Sequence, residues 1–167
     1  GILAVPRLSP GWEHNYEGTP TLNAICGVGQ IVRYQALPDG RSNMIVQGVA
    51  RLRLTKDVVS ERGYRVGRGE LMELDPINEG KTNRIAASLK LLVAQLIAAV
   101  PETKPALGDL EHENIEISEW MDKLAHFVLR KPDERQLYLE YSDIEDRSDL
   151  LMASMVEMGQ DGGKWGQ

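Results

Sequence analysis

The chain has 167 residues, 42% of them hydrophobic and 26% charged, a balance that predicts a packed globular fold and excludes the disordered class. Its formal net charge of −6 argues against a general binder of phosphate backbones, which needs a concentrated positive field to displace counterions. Cys26 is the sole cysteine, so no intrachain disulfide can form, and a reducing, cytoplasmic setting is expected.

No apolar run reaches the roughly 20 residues that a membrane helix requires. The longest candidate, residues 89–100, is interrupted by Lys90 and Gln95 and reads as a core helix. The start of the chain has no basic segment followed by a signal-like apolar stretch.

Residues 1–75 read as β-structure, because short β-rich runs alternate with Gly and Pro. The predicted strands cover residues 2–5, 24–37, 44–54 and 64–74. Gly27 and Gly29 inside the second run suggest bulges or bends of a curved sheet. Leu37-Pro38-Asp39-Gly40-Arg41 predicts a hairpin, since Pro presets a turn dihedral and Gly accepts a positive φ. Alternation along Arg51-Leu52-Arg53-Leu54 places the leucines on one face and the arginines on the other.

After Asp75-Pro76 the period becomes helical. Ile85, Leu89, Leu92, Val93, Leu96, Ile97 and Val100 form one apolar stripe that ends at Pro101. Residues 102–113, with Pro105 and Gly108, are expected to form a loop. A second helix carries Ile117, Met121, Leu124 and Val128; Pro132 opens a third through about Glu140. Asp143 is placed to cap a fourth, whose Leu151, Met155 and Met158 share a face. Residues 76–158 thus predict a helical bundle, followed by a mobile tail over residues 159–167.

Catalytic and cofactor chemistry finds little support. Gly162-Gly163-Lys164-Trp165 lacks the Ser/Thr and the context of a phosphate loop, and Gly27-Val28-Gly29 lacks the third glycine of a dinucleotide loop. His14, His112 and His126 are far apart in sequence, and His112 between Glu111 and Glu113 reads as a solvated charge cluster, so no metal site and no cofactor are expected. Cys26 between Ile25 and Gly27 reads as a small buried hydrophobe; a hydrolase would need it or a serine within reach of a histidine. Arg51, Arg53, Arg62, Arg65 and Arg68 cluster in sequence and read as solvent-facing strand charges.

Two groups of segments carry a family resemblance. In the β-half these are Ile25-Cys26-Gly27-Val28-Gly29-Gln30-Ile31, the hairpin at 37–41, Val46-Gln47-Gly48-Val49-Ala50-Arg51-Leu52-Arg53-Leu54 and Tyr64-Arg65-Val66. In the helical half they are Leu124-Ala125-His126, Glu134-Arg135-Gln136-Leu137-Tyr138-Leu139-Glu140 and Asp143-Ile144-Glu145-Asp146-Arg147. In order and spacing they resemble the Lon protease N-terminal domain family, over roughly residues 2–158.

The resemblance implies an α+β fold, with an N-terminal β-rich PUA-like pseudo-barrel followed by a C-terminal helical bundle. It also implies a non-catalytic module that engages polypeptide, with no ATPase or Ser-Lys peptidase module in this chain. The family domain opens with a Pro-rich first strand and an Arg/Tyr-bearing segment; neither stands in this sequence, so an unpaired sheet edge is expected. The expected partner is unfolded or partly unfolded polypeptide, or a specific protein, with Trp12 and Tyr16 as candidate anchors in a Gly/Pro-rich stretch. Packing of these two rings onto the sheet is the competing reading. A small-molecule-binding Lon-like domain and an RNA-binding PUA-like module are the alternatives.

Overall fold

The computed structural model describes residues 1–59, 64–76, 78–108, 110 and 115–160. The chain forms two compact units, Gly1–Glu73 and Leu74–Gln167, the first built on a sheet and the second on helices, so the architecture is α+β.

In the first unit β1 (Ile2–Val5), β2 (Ile25–Ala36), β3 (Ser42–Val59) and β4 (Arg65–Met72) pair antiparallel in the order β1-β2-β3-β4. The β2–β3 turn follows from its residue types. Gly40 takes φ 83°, its N–H donates to Leu37 O at 3.2 Å, and Leu37 N–H donates to Arg41 O at 2.8 Å. Asp39 holds the exit, accepting from Arg41 N at 3.1 Å and Arg41 Nε at 2.7 Å.

The glycine signal in β2 marks a real irregularity, because the β2–β3 register shifts between Val28 and Gly29. A Cβ on Gly29 would stand 2.2 Å from Val46 Cγ1 and 3.1 Å from Gln47 O, so the strands approach here only without a side chain. A second shift lies between Ile31 and Arg33, and a third in β3 between Leu54 and Lys56. Leu52 and Leu54 share a half-buried face, as their alternation predicts; they lie against Gly69 and Gly67 of β4, where a Cβ would come within 2.9 and 3.1 Å of their methyl carbons.

β3 runs five residues past the expected end at Leu54, because the ladder with β4 continues to Val59. Apolar burial nevertheless stays thin: among the described residues, Ile25 and Cys26 are the buried hydrophobic side chains of this unit.

The second unit holds the main core. In α1 (Glu79–Ala99), Asn78 Oδ1 caps the helix by accepting from Gly80 N at 2.9 Å, and Ile85, Leu89, Val93 and Leu96 are buried, with Leu92 and Ile97 flanking them. The expected loop over 102–113 is partly helical: a 3-10 turn at Pro101–Thr103 leads into α2 (Lys104–Leu107). Pro105 falls in the first turn of α2, where the missing N–H costs no hydrogen bond, so it starts a helix instead of breaking one. Thr103 Oγ1 donates to Val100 O at 2.8 Å, and Leu107 and Leu110 are buried.

The remaining helices, α3 (Ile117–Val128), α4 (Pro132–Glu140) and α5 (Ile144–Gln160), lie where the periodicity places them. Trp120 is buried with its Nε1 donating to Leu110 O at 2.8 Å, and Asp143 Oδ1 caps α5 by accepting from Glu145 N at 2.6 Å. α5 continues through Gly159 and Gln160, past the expected start of the tail; residues 161–167 lie outside the described residues.

Candidate functional site

Trp12 and Tyr16 sit on a loop with a closed base. Leu8 and Leu22 form an isolated antiparallel bridge, Ser9 N donates to Thr21 O and Asn23 N to Arg7 O, both at 2.8 Å, and Ser9 Oγ donates to Asn23 Oδ1 at 3.1 Å. Arg65 NH1 ties β4 to the same loop by donating to Pro20 O at 2.7 Å. Above this base a 3-10 turn, Trp12–Asn15, follows Gly11 at φ 85°, a backbone angle that favours glycine.

The two aromatic rings meet edge to face, 5.5 Å between centroids and 62° between planes. This contact restrains both side chains. Both remain accessible, Trp12 at 36% and Tyr16 at 63%.

A second apolar surface was not singled out in the sequence. β1 pairs with β2 only over Gly27–Gln30, and β4 pairs with β3 only from Arg51 onward. Beyond those limits β2 and β3 pair with each other alone, forming a two-stranded ribbon. It exposes Val32, Tyr34, Met44, Ile45 and Val46, and Val49 stands at its root. A ribbon of two strands is marginally stable in water on its own, and the apolar side chains on this one form exposed surface, not core. Met44-Ile45-Val46 carried the signal, but an unbroken apolar run normally marks a strand buried on both faces.

The arginine cluster is divided in use. Arg51 NH2 donates to Glu73 O at 3.4 Å and Arg65 is engaged with Pro20, while Arg53 and Arg68 are exposed; Arg62 lies outside the described residues. Cys26 is 1% exposed and burial pushes its thiol pKa up, which keeps it protonated and poorly nucleophilic.

Gly27-Val28-Gly29 lies within β2 rather than in a strand-to-helix loop, so it offers no phosphate cradle. His126 is an exposed helix residue stacked edge to face on Phe127, 5.3 Å between centroids; His112 with its flanking glutamates, and Gly162-Gly163-Lys164-Trp165, lie outside the described residues. No cluster of metal-binding side chains is found among the described residues, and among them no single helix is long and apolar enough to cross a membrane.

A sheet unit with exposed aromatics and a projecting apolar ribbon is joined in sequence to a helical unit with its own core. Residues 1–157 match the family described as the ATP-dependent protease La (LON) substrate-binding domain. The chain belongs to this family.

Among curated relatives, the Lon protease of Xanthomonas oryzae pv. oryzae is 29% identical over 133 residues, covering 78% of this chain and 15% of that protein. Lon protease 2 of Myxococcus xanthus is 26% identical over 141 residues, covering 84% and 17%. The chain therefore corresponds to about a sixth of the length of these relatives. Among solved structures, the N-terminal domain of a Mycobacterium avium complex Lon protease superposes with a TM-score of 0.67 at 11% identity, covering 93% of this chain and 90% of that one. A Lon N-terminal domain protein from Xanthomonas campestris gives 0.52 at 16% identity, covering 92% and 89%. At these identities the structures establish a shared fold.

Proposed function

We propose that this domain binds unfolded or partly unfolded polypeptide through the exposed apolar side chains of its sheet unit, and that it is not itself a catalyst. The observation that carries this reading is the imbalance in that unit. Among the described residues two hydrophobic side chains are buried, while Trp12, Tyr16, Tyr34, Met44 and Ile45 remain exposed. Apolar surface of this kind gains free energy by covering apolar residues of another chain, and folded proteins hide theirs. Membership of a substrate-binding family supports the same role. With its one cysteine kept as a thiol, the domain suits a reducing, cytoplasmic compartment.

The test is binding of the 167-residue chain to a stable folded protein and to a destabilised variant of that same protein, at matched concentrations. Preferential capture of the destabilised form is the expected result. Equal binding to both, or to neither, overturns the reading.

A further inference from the structure

Lys56 of β3 and Arg68 of β4 are direct cross-strand partners. Like charges placed opposite each other on one sheet face repel. On the same face of β4, two residues further along, Glu70 stands opposite Arg53, so this ladder does pair opposite charges elsewhere. Both Lys56 and Arg68 are exposed, and neither has an acidic partner within ion-pair distance among the described residues. They border a cavity of about 360 Å³ lined also by Val66 and Gly67.

β4 is the terminal strand of the sheet, with no strand on its outer side among the described residues. An extended chain can add to such an edge through backbone hydrogen bonds. Val66 and Arg68 are two apart and share a face, so a strand laid along β4 sets one apolar residue against Val66 and an anion against Arg68, with Lys56 on the same face one strand further in. The unit as a whole favours an acidic partner, since residues 1–73 contain nine Lys and Arg against seven Asp and Glu, whereas residues 74–167 contain ten against eighteen.

We infer that the outer edge of β4 is a docking strand for extended polypeptide segments in which an aspartate or glutamate lies two residues from an apolar side chain, the carboxylate pairing with Arg68 and drawn also by Lys56 on the same face. This inference rests on the proposed polypeptide-binding role and narrows it to acidic-apolar segments.

Fluorescence anisotropy with the 167-residue chain tests it, using a labelled seven-residue peptide carrying Leu-Ser-Asp at its centre, the same peptide with Asn for Asp, and a single-stranded oligonucleotide. The expected result is about tenfold tighter binding of the Asp peptide, a preference that shrinks as salt rises and disappears in Lys56→Gln/Arg68→Gln. Circular dichroism confirms that the double variant is folded. Equal binding of the two peptides, or a preference that survives in the double variant, overturns the β4 site while leaving the broader role intact. Tighter binding of the oligonucleotide overturns the polypeptide occupant. If neither peptide binds and destabilised protein is not captured either, both readings fall together.

Discussion

The guanidinium of Arg147 lies over the ring of Tyr138, 3.9 Å from its centroid, and both groups converge on the carboxylate of Asp122. Arg147 and Tyr138 are buried at 2% and 5% exposure, and Arg147 donates through NH2 to Asp122 Oδ1. Tyr138 OH donates to the same oxygen at 3.1 Å. One acidic side chain on α3 thus joins α4 and α5. One atom of the arrangement is left over, since Arg147 Nε is buried without a hydrogen-bond partner among the described residues.

That asymmetry orders the effects of substitution. Asp122→Ala strands a buried cation and is expected to cost about 2–3 kcal/mol, toward the low end of such losses because the Asp122 side chain is 60% exposed and water can partly replace it. Arg147→Met removes the cation together with its desolvation cost and should cost less than about 1.5 kcal/mol. Urea unfolding of the two variants decides the order; an equal or greater loss in Arg147→Met would show that the ion pair stabilises the bundle outright.

The sheet offers a paired glycine test. A Cβ on Gly69 would stand 2.5 Å from Arg53 O and 2.7 Å from Leu52 Cγ, so Gly69→Ala must push a neighbouring strand aside, a loss of about 1–3 kcal/mol. Gly27 has nothing within 4 Å of the same position, and Gly27→Ala should leave stability unchanged or raise it by up to about 1 kcal/mol. Thermal unfolding of both variants separates steric from entropic roles. Similar melting temperatures for the two would remove the steric account of Gly69.

The helical half was legible because burial and period coincide there. Leu89, Val93 and Leu96 of α1, and Met121, Leu124 and Val128 of α3, are core residues at the spacings that announce them. The sheet was legible in its strands and its turn, where Gly40 and Asp39 act locally, but its exposed apolar ribbon was not. Periodicity reports which residues share a face and assumes that an apolar face is covered; Tyr34, Met44 and Ile45 break that assumption. Arg147 escaped for a related reason. A charged residue near a helix start reads as solvated, and its burial depends on Asp122 and Tyr138, 25 and 9 positions earlier. Lys56 and Arg68 become neighbours only through a register that includes the bulge between Leu54 and Lys56.

Cys26 gives a prediction about pH and reactivity. Burial raises its thiol pKa above the ordinary 9.0, so the folded chain holds this proton at pH values where the unfolded chain has lost it. The thiol therefore contributes stability that is fully present below the unfolded pKa and declines as pH climbs through the folded one. Denaturant midpoints should fall above about pH 9, and less so in Cys26→Ala after allowance for its lower starting stability. At neutral pH a thiol-specific reagent should label Cys26 only as fast as the strand opens; immediate labelling of the native protein would contradict its burial in β2.

Trp12 and Tyr16 are the anchors of the proposed polypeptide-binding role. Their loop is closed below by the Leu8–Leu22 bridge and by Arg65 on Pro20 O, contacts that do not depend on either ring. Removing the rings should leave the fold intact, with a change in melting temperature of no more than about 2 °C for surface substitutions of this kind. Binding should respond more strongly. An exposed aromatic that becomes an interface anchor is worth about 1–2 kcal/mol, and the pair is held together before binding, so Trp12→Ala is expected to weaken capture of destabilised protein by roughly tenfold. Tyr16→Ala removes a partner ring as well as an anchor, and the double variant should lose less than the product of the two single effects, because each ring orients the other. Competition binding on the three variants measures this directly: a strictly additive loss would make the rings independent contacts, and no loss at all would move recognition from this loop to the β2–β3 ribbon and the edge of β4.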